Sequence, residues 1–83
     1  MTKLKCIAVD DEPLALDILE DYISKVPFLE LVKRTENAIE ALQIVQAGGI
    51  DLVFLDVQMP ELTGIQFLKI ASGKSNYILT TAY

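Results

Sequence analysis

Apolar and polar residues fall along this chain in blocks that alternate between strand and helix periods. Leu4-Lys5-Cys6-Ile7-Ala8-Val9 is short, mostly apolar and partly β-branched, as in a strand buried on both faces. Asp10-Asp11-Glu12 end it, and Pro13 suits the first position of a helix whose positive end faces those acids. Leu14, Ala15, Ile18, Leu19, Tyr22, Ile23 and Val26 then form one apolar stripe, with Asp17, Glu20, Asp21, Ser24 and Lys25 opposite. Pro27 stops this helix. Phe28 to Arg34 alternates partly and ends in charge, as an edge strand does. Asn37 and Glu40 make a capping box for a second helix with Ala38, Ile39, Leu42 and Val45 on its apolar side. Gly48-Gly49 provide a left-handed stop.

Leu52-Val53-Phe54-Leu55 is the most apolar run, which predicts a central strand, and Asp56 ends it. Val57 to Leu62 read as a loop containing Pro60. Thr63 and Gln66 form a second capping box, opening a helix with Ile65, Phe67, Leu68 and Ile70. Ser72 to Asn76 are turn residues, and Tyr77 to Thr81 form a fourth strand. The order is β-α-β-α-β-α-β with short connections, which predicts a doubly wound α/β domain: a parallel sheet with helices on both faces. No internal repeat or low-complexity segment interrupts it.

Composition narrows the chemistry. With 83 residues the chain is one small domain, and 52% hydrophobic residues exclude a disordered acidic tail. No apolar run approaches the roughly 18 to 20 residues of a membrane span, and no signal peptide is visible, so a cytoplasmic protein without membrane contact is expected. The single Cys6 excludes an internal disulfide framework. Having no histidine, the chain lacks every Ser-His or Cys-His catalytic arrangement. Twelve acidic and seven basic residues give a net charge of -5, and Lys33-Arg34 is the one adjacent basic pair. Direct nucleic-acid binding by this chain is not expected.

In a doubly wound sheet, ligands sit beyond the carboxyl ends of the strands. The first strand ends at Asp10-Asp11 and the third at Asp56. If these strands are neighbours, three carboxylates share one crevice. Their repulsion is relieved by a hard, oxygen-preferring divalent cation, and Mg²⁺ typically uses only one or two carboxylates plus waters and phosphate oxygens. An aspartate before a helix is also a common cap, and for Asp11 alone that reading carries equal weight.

The stretches Val9-Asp10-Asp11-Glu12-Pro13, Phe54-Leu55-Asp56-Val57-Gln58-Met59-Pro60, Thr63-Gly64 and Leu79-Thr80-Thr81-Ala82 resemble, in order and spacing, the receiver domain of bacterial response regulators. The DEPLA opening, the Gln58 position and the terminal Thr-Thr-Ala-Tyr look most like regulators with a LytTR-type DNA-binding output domain. The resemblance implies a three-layer flavodoxin-like fold of strand order 2-1-3-4, a single receiver domain over residues 1–83. That domain lacks the family's fourth helix, fifth strand and fifth helix.

It further implies that Asp56 accepts a phosphoryl group from a sensor histidine kinase. Asp11, Asp56 and the backbone carbonyl of Gln58 would ligate Mg²⁺ or Mn²⁺, with Asp10 acting through water. The Thr81 hydroxyl would contact the phosphoryl group and move on activation, with Thr80 its rival, and Gly64 would allow tight packing beside the site. The lysine that normally pairs with the phosphoryl group has no counterpart here; Lys69 and Lys74 lie in the wrong elements. A second receiver, or self-association through the fourth strand or the bare sheet face, is the further expected partner.

Other motifs carry less. Gly73-Lys74-Ser75 resembles the end of a P-loop, but the required earlier glycine is Leu68, and the loop leads from helix to strand. Cys6, Tyr22 and Phe67 read as packing residues, and Met59 as packing beside Pro60. Two other functions compete with the phosphoacceptor. One is a non-phosphorylated interaction module. The other is a Mg²⁺-dependent aspartyl phosphohydrolase, disfavoured because Gln58 stands where its general acid would be. The receiver itself is not an enzyme beyond its own phosphorylation and dephosphorylation.

Overall fold

The computed structural model describes residues 3–57, 63–71, 73 and 75–80. The elements are β1 (Leu4–Val9), α1 (Pro13–Ser24), β2 (Leu29–Thr35), α2 (Ala38–Ala47), β3 (Leu52–Asp56), α3 (Gly64–Ala71) and β4 (Asn76–Thr80). The four strands form one parallel sheet in the order β2-β1-β3-β4, as expected.

Period-2 alternation divides the sheet between two layers. Ile7, Val9, Val53 and Leu55 join Ala38, Ala41 and Val45 of α2 and Phe67 of α3 in one buried core. Cys6 and Ala8, equally buried, alternate toward the opposite layer, where α1 contributes Leu16 and Ile23. Cys6 is a packing residue as read, its thiol donating to the Glu30 carbonyl at 3.4 Å.

The apolar stripe of α1 is rotated from the expected one. Leu16, outside that stripe, is buried with Ile23, while Leu14, Ile18 and Tyr22 are 69%, 55% and 62% exposed. The helix ends at Ser24, and Val26 lies beyond it. The physical reason is that α1 has two apolar sides. Leu16 and Ile23 lie on the sheet, Asp17 and Glu20 face β2, and Leu14, Ile18 and Tyr22 lie on the side away from β2. Ile39 of α2 and Ile65 and Ile70 of α3 are likewise exposed rather than core, and the side chain of Leu68 lies outside the described residues.

The caps are partly as read. Thr63 and Gln66 form a reciprocal box: the Gln66 amide donates to Thr63 Oγ1 (3.2 Å) and the Thr63 amide to Gln66 Oε1 (3.0 Å). Asn37 caps α2 through the amides of Ile39 and Glu40, but its own amide donates to Thr35 Oγ1, not to Glu40. Gly48 and Gly49 take φ values of 91° and 89°, which only glycine adopts without strain.

β2 runs one residue later than expected, and β4 spans Asn76–Thr80. Thr81, Ala82, Gln58, Met59, Pro60, Leu62, Ser72 and Lys74 lie outside the described residues.

Both sheet edges, β2 and β4, are open among the described residues, and Ile78 of β4 is exposed along with the α1 stripe. Open edges and exposed apolar side chains favour association. A core this small supplies roughly 3 to 5 kcal/mol. A peptide of these 83 residues is therefore expected to associate rather than remain a stable monomer. Light scattering combined with denaturant titration checks this; a monomer that unfolds cooperatively at low concentration would refute it.

Candidate metal and phosphoryl site

The β1–β3 pairing places the two acidic strand ends side by side. Cys6 to Val9 pair in register with Leu52 to Leu55, so Asp10, just after β1, and Asp56, the last residue of β3, stand at the same carboxyl end of the sheet. One carboxylate oxygen from each of Asp10, Asp11 and Asp56 lies within 4.8 Å of the others. The convergence expected from the strand order is therefore present.

Their environments differ. Asp10 and Asp56 are both 8% exposed, and Asp11 is open to solvent. Asp10 Oδ1 accepts the amide of Glu12 at 2.9 Å, closing a tight turn into α1. Burial pushes the Asp10 carboxyl above the ordinary aspartate range; the Glu12 amide opposes the rise, and the charges of Asp56 and Asp11 add to it. The sign follows: ionised Asp10 is penalised in the fold, and the penalty is removed by protonation at low pH or by a cation above it.

The backbone around the acids is held by neighbouring strands. The Asp10 amide donates to the Thr35 carbonyl at 3.2 Å, and the Val57 amide to the Thr80 carbonyl at 3.1 Å. Thr80 is the register partner of Asp56, and its buried Oγ1 has no hydrogen-bond partner among the described residues. Gln58 and Thr81, the other two expected site residues, are outside the described residues. Gly64 is the first residue of α3.

Sequence reasoning missed Thr35. It is 7% exposed and touches the site through the Asp10 amide. The available signal was a threonine two residues before the Asn37 cap, the spacing of a side-chain turn.

Three carboxylates and no soft ligand make an all-oxygen set, which fits Mg²⁺ or Mn²⁺ rather than zinc or copper. The edge-to-face pair Phe67–Tyr77 and the pocket lined by Ile50, Asp51, Gly73, Ser75 and Asn76 do not touch these acids. Among the described residues no helix is long and apolar enough to cross a membrane.

Comparison with known proteins agrees with this geometry. The profile of the response regulator receiver domain matches residues 6–82. An uncharacterized response regulatory protein of Shewanella oneidensis is 40% identical over 65 residues, covering 78% of this chain and 28% of that protein. Transcriptional regulatory protein BtsR of Escherichia coli K12 is 35% identical over 65 residues, 78% of this chain and 27% of its own length. The crystal structure of response regulator TrrA of Thermotoga maritima, in complex with Mg²⁺ and a beryllium fluoride, superposes with a TM-score of 0.81 at 31% identity, covering 96% of this chain and 70% of that one. The chain thus spans between 18% and 35% of the length of the first curated relatives it matches.

Proposed function

The chain belongs to the response regulator receiver domain family, and from that premise we propose that it is a phosphoacceptor switch whose nucleophile is Asp56. The observation that carries this reading is the convergence of the Asp10, Asp11 and Asp56 carboxylates at the carboxyl ends of β1 and β3.

A carboxylate oxygen of Asp56 attacks the phosphorus of a phosphohistidine on a sensor kinase. The O–P bond forms as the N–P bond breaks. The electron pair returns to the ring nitrogen, and the imidazole leaves neutral because its other nitrogen carries a proton. The product is an acyl phosphate. Asp11, Asp56 and the Gln58 carbonyl would hold Mg²⁺, with Asp10 acting through water. When bound, the cation would supply neutralisation of the negative charge at the site. The Thr81 hydroxyl would donate to a phosphoryl oxygen. The added charge, about -1.5 to -2 for a phosphoresidue, is the switch input. A transcriptional output domain, of LytTR type by the sequence resemblance, would read it. The Mg²⁺ and beryllium fluoride on the TrrA relative support this, since that fluoride is a tetrahedral stand-in for a phosphoryl group. So does the transcriptional role named for BtsR.

Incubating the full-length protein with acetyl phosphate and Mg²⁺ tests the reading by intact mass. A stable adduct supports it, rapid turnover without adduct indicates a phosphohydrolase, and no reaction indicates an interaction module.

The metal roles have their own test. Asp10 already spends one oxygen on the Glu12 amide, whereas Asp11 is exposed and free to ligate directly. Asp11→Ala is therefore expected to weaken Mg²⁺ binding more than Asp10→Ala. Binding should fade as pH drops, because the Asp10 carboxyl is raised by burial and its protonation removes a charge from the site. Calorimetric titration giving equal losses, or the larger loss for Asp10, would contradict the assignment.

A further inference from the structure

Strand β2 changes phase in its middle. Leu4, Lys5 and Cys6 pair with Leu29, Glu30 and Leu31, but Ile7, Ala8 and Val9 pair with Lys33, Arg34 and Thr35. Val32 has no partner in β1 and bulges outward, 48% exposed. One extra residue exchanges faces for every side chain after it. Without the bulge Arg34 would fall on the α2 side, beside the apolar core. With it, Arg34 lies over α1 and reaches Asp17 Oδ1 and Glu20 Oε1, both at 2.7 Å. Thr35 is thereby turned to the α2 side in register with buried Val9.

There Thr35 joins two elements. Its carbonyl accepts the Asp10 amide, and its Oγ1 accepts the Asn37 amide at 3.0 Å. Asn37 Oδ1 in turn caps the first turn of α2 through Ile39 and Glu40. The side-chain turn from Thr35 to Asn37 fixes the peptide plane that follows Thr35, and the carbonyl holding Asp10 belongs to that plane. We propose that Thr35, set in place by the Val32 bulge, is a positioning residue for the acidic site: its hydroxyl locks the carbonyl that anchors Asp10, and so fixes where Asp10 stands against Asp11 and Asp56. The inference rests on the metal-assisted reading above. Thr35 touches neither the cation nor the phosphoryl group; it acts through the Asp10 backbone.

The test is Mg²⁺ titration of the full-length protein and two variants. Thr35→Val keeps the branched shape and removes the hydroxyl; Thr35→Ser keeps the hydroxyl. Thr35→Val is expected to bind Mg²⁺ about three- to tenfold more weakly, the scale of one lost supporting hydrogen bond. Thr35→Ser should bind within about twofold of the parent, a rescue that packing alone would not produce. Equal affinity in parent and Thr35→Val, or a Thr35→Ser as weak as Thr35→Val, overturns the proposal. A parent that binds no Mg²⁺ overturns the site reading itself, and this inference with it. Should Thr35→Val not fold, amide hydrogen exchange in the parent and Thr35→Ser decides. An Asp10 amide as slow as that of Val9 in both supports the anchor, and one as fast as that of Asp11 overturns it.

Discussion

Replacing Asp56 by asparagine is expected to abolish phosphorylation of the full-length protein. An amide oxygen is a poor nucleophile and cannot form an acyl phosphate, so the loss should be complete rather than graded. The same change should not weaken the fold. Asp56 is 8% exposed within 4.8 Å of two other carboxylates, and its charge is among those that raise Asp10. Removing that charge relieves repulsion, so the thermal midpoint of Asp56→Asn without metal should equal or exceed that of the parent. Intact mass after phosphodonor treatment, with hydroxylamine sensitivity to identify the acyl phosphate, checks the chemistry. An adduct that persists in Asp56→Asn moves the acceptor elsewhere, and an unfolded variant would mean that Asp56 serves the structure first.

The reason these acids could be found in the sequence is local. Each closes an apolar strand, and strand ends are marked by a sharp change of composition, as at Val9-Asp10 and Leu55-Asp56. Their convergence then needed only that β1 and β3 be neighbours, which the sheet bears out. The order of elements was legible for the same reason. What did not read through was which of two apolar sides a helix buries. Leu14, Ile18 and Tyr22 recur at every fourth position as convincingly as Leu16 and Ile23 at every seventh, and periodicity alone ranks them equally. The pairing of Arg34 with Asp17 and Glu20 agrees with the burial of Leu16 and Ile23 on which way α1 is rolled.

That pairing depends on the Val32 bulge, which has no sequence mark. In Leu29-Glu30-Leu31-Val32-Lys33-Arg34-Thr35 the apolar residues end at the bulge, and the buried position after it, Thr35, is polar. An unbroken alternation would have assigned Thr35 to the wrong face. The Asn37 cap misled in a smaller way. Glu40 stands at the capping-box spacing, but the Asn37 amide already has an acceptor in Thr35, which sits closer in sequence and is buried.

Phe67→Ala is expected to cost the most stability of any single truncation in α3. Phe67 is fully buried in the core formed with Ile7, Val9, Val53, Leu55 and α2, and its ring meets Tyr77 edge-to-face with centroids 6.0 Å apart at 71°. Among the α3 side chains described, Ile65 and Ile70 are exposed, so Phe67 is the one that carries the helix onto the core. An eight-residue helix does not hold itself in water and depends on that contact. Truncating a buried phenylalanine costs about 3 to 5 kcal/mol, and the aromatic pair adds about 0.5 to 1.5 kcal/mol. The variant should therefore release α3 and loosen β4, which contributes Tyr77 to the same contact. Because the Val57 amide is held by the Thr80 carbonyl of β4, loosening that strand also loosens the backbone after Asp56. Denaturant titration of the full-length protein, read by near-ultraviolet circular dichroism of the tyrosines, measures the loss. Ile70→Ala is the control, and a surface change there should stay within about 0.5 kcal/mol. Losses of similar size in the two variants would show that α3 is held by something other than Phe67.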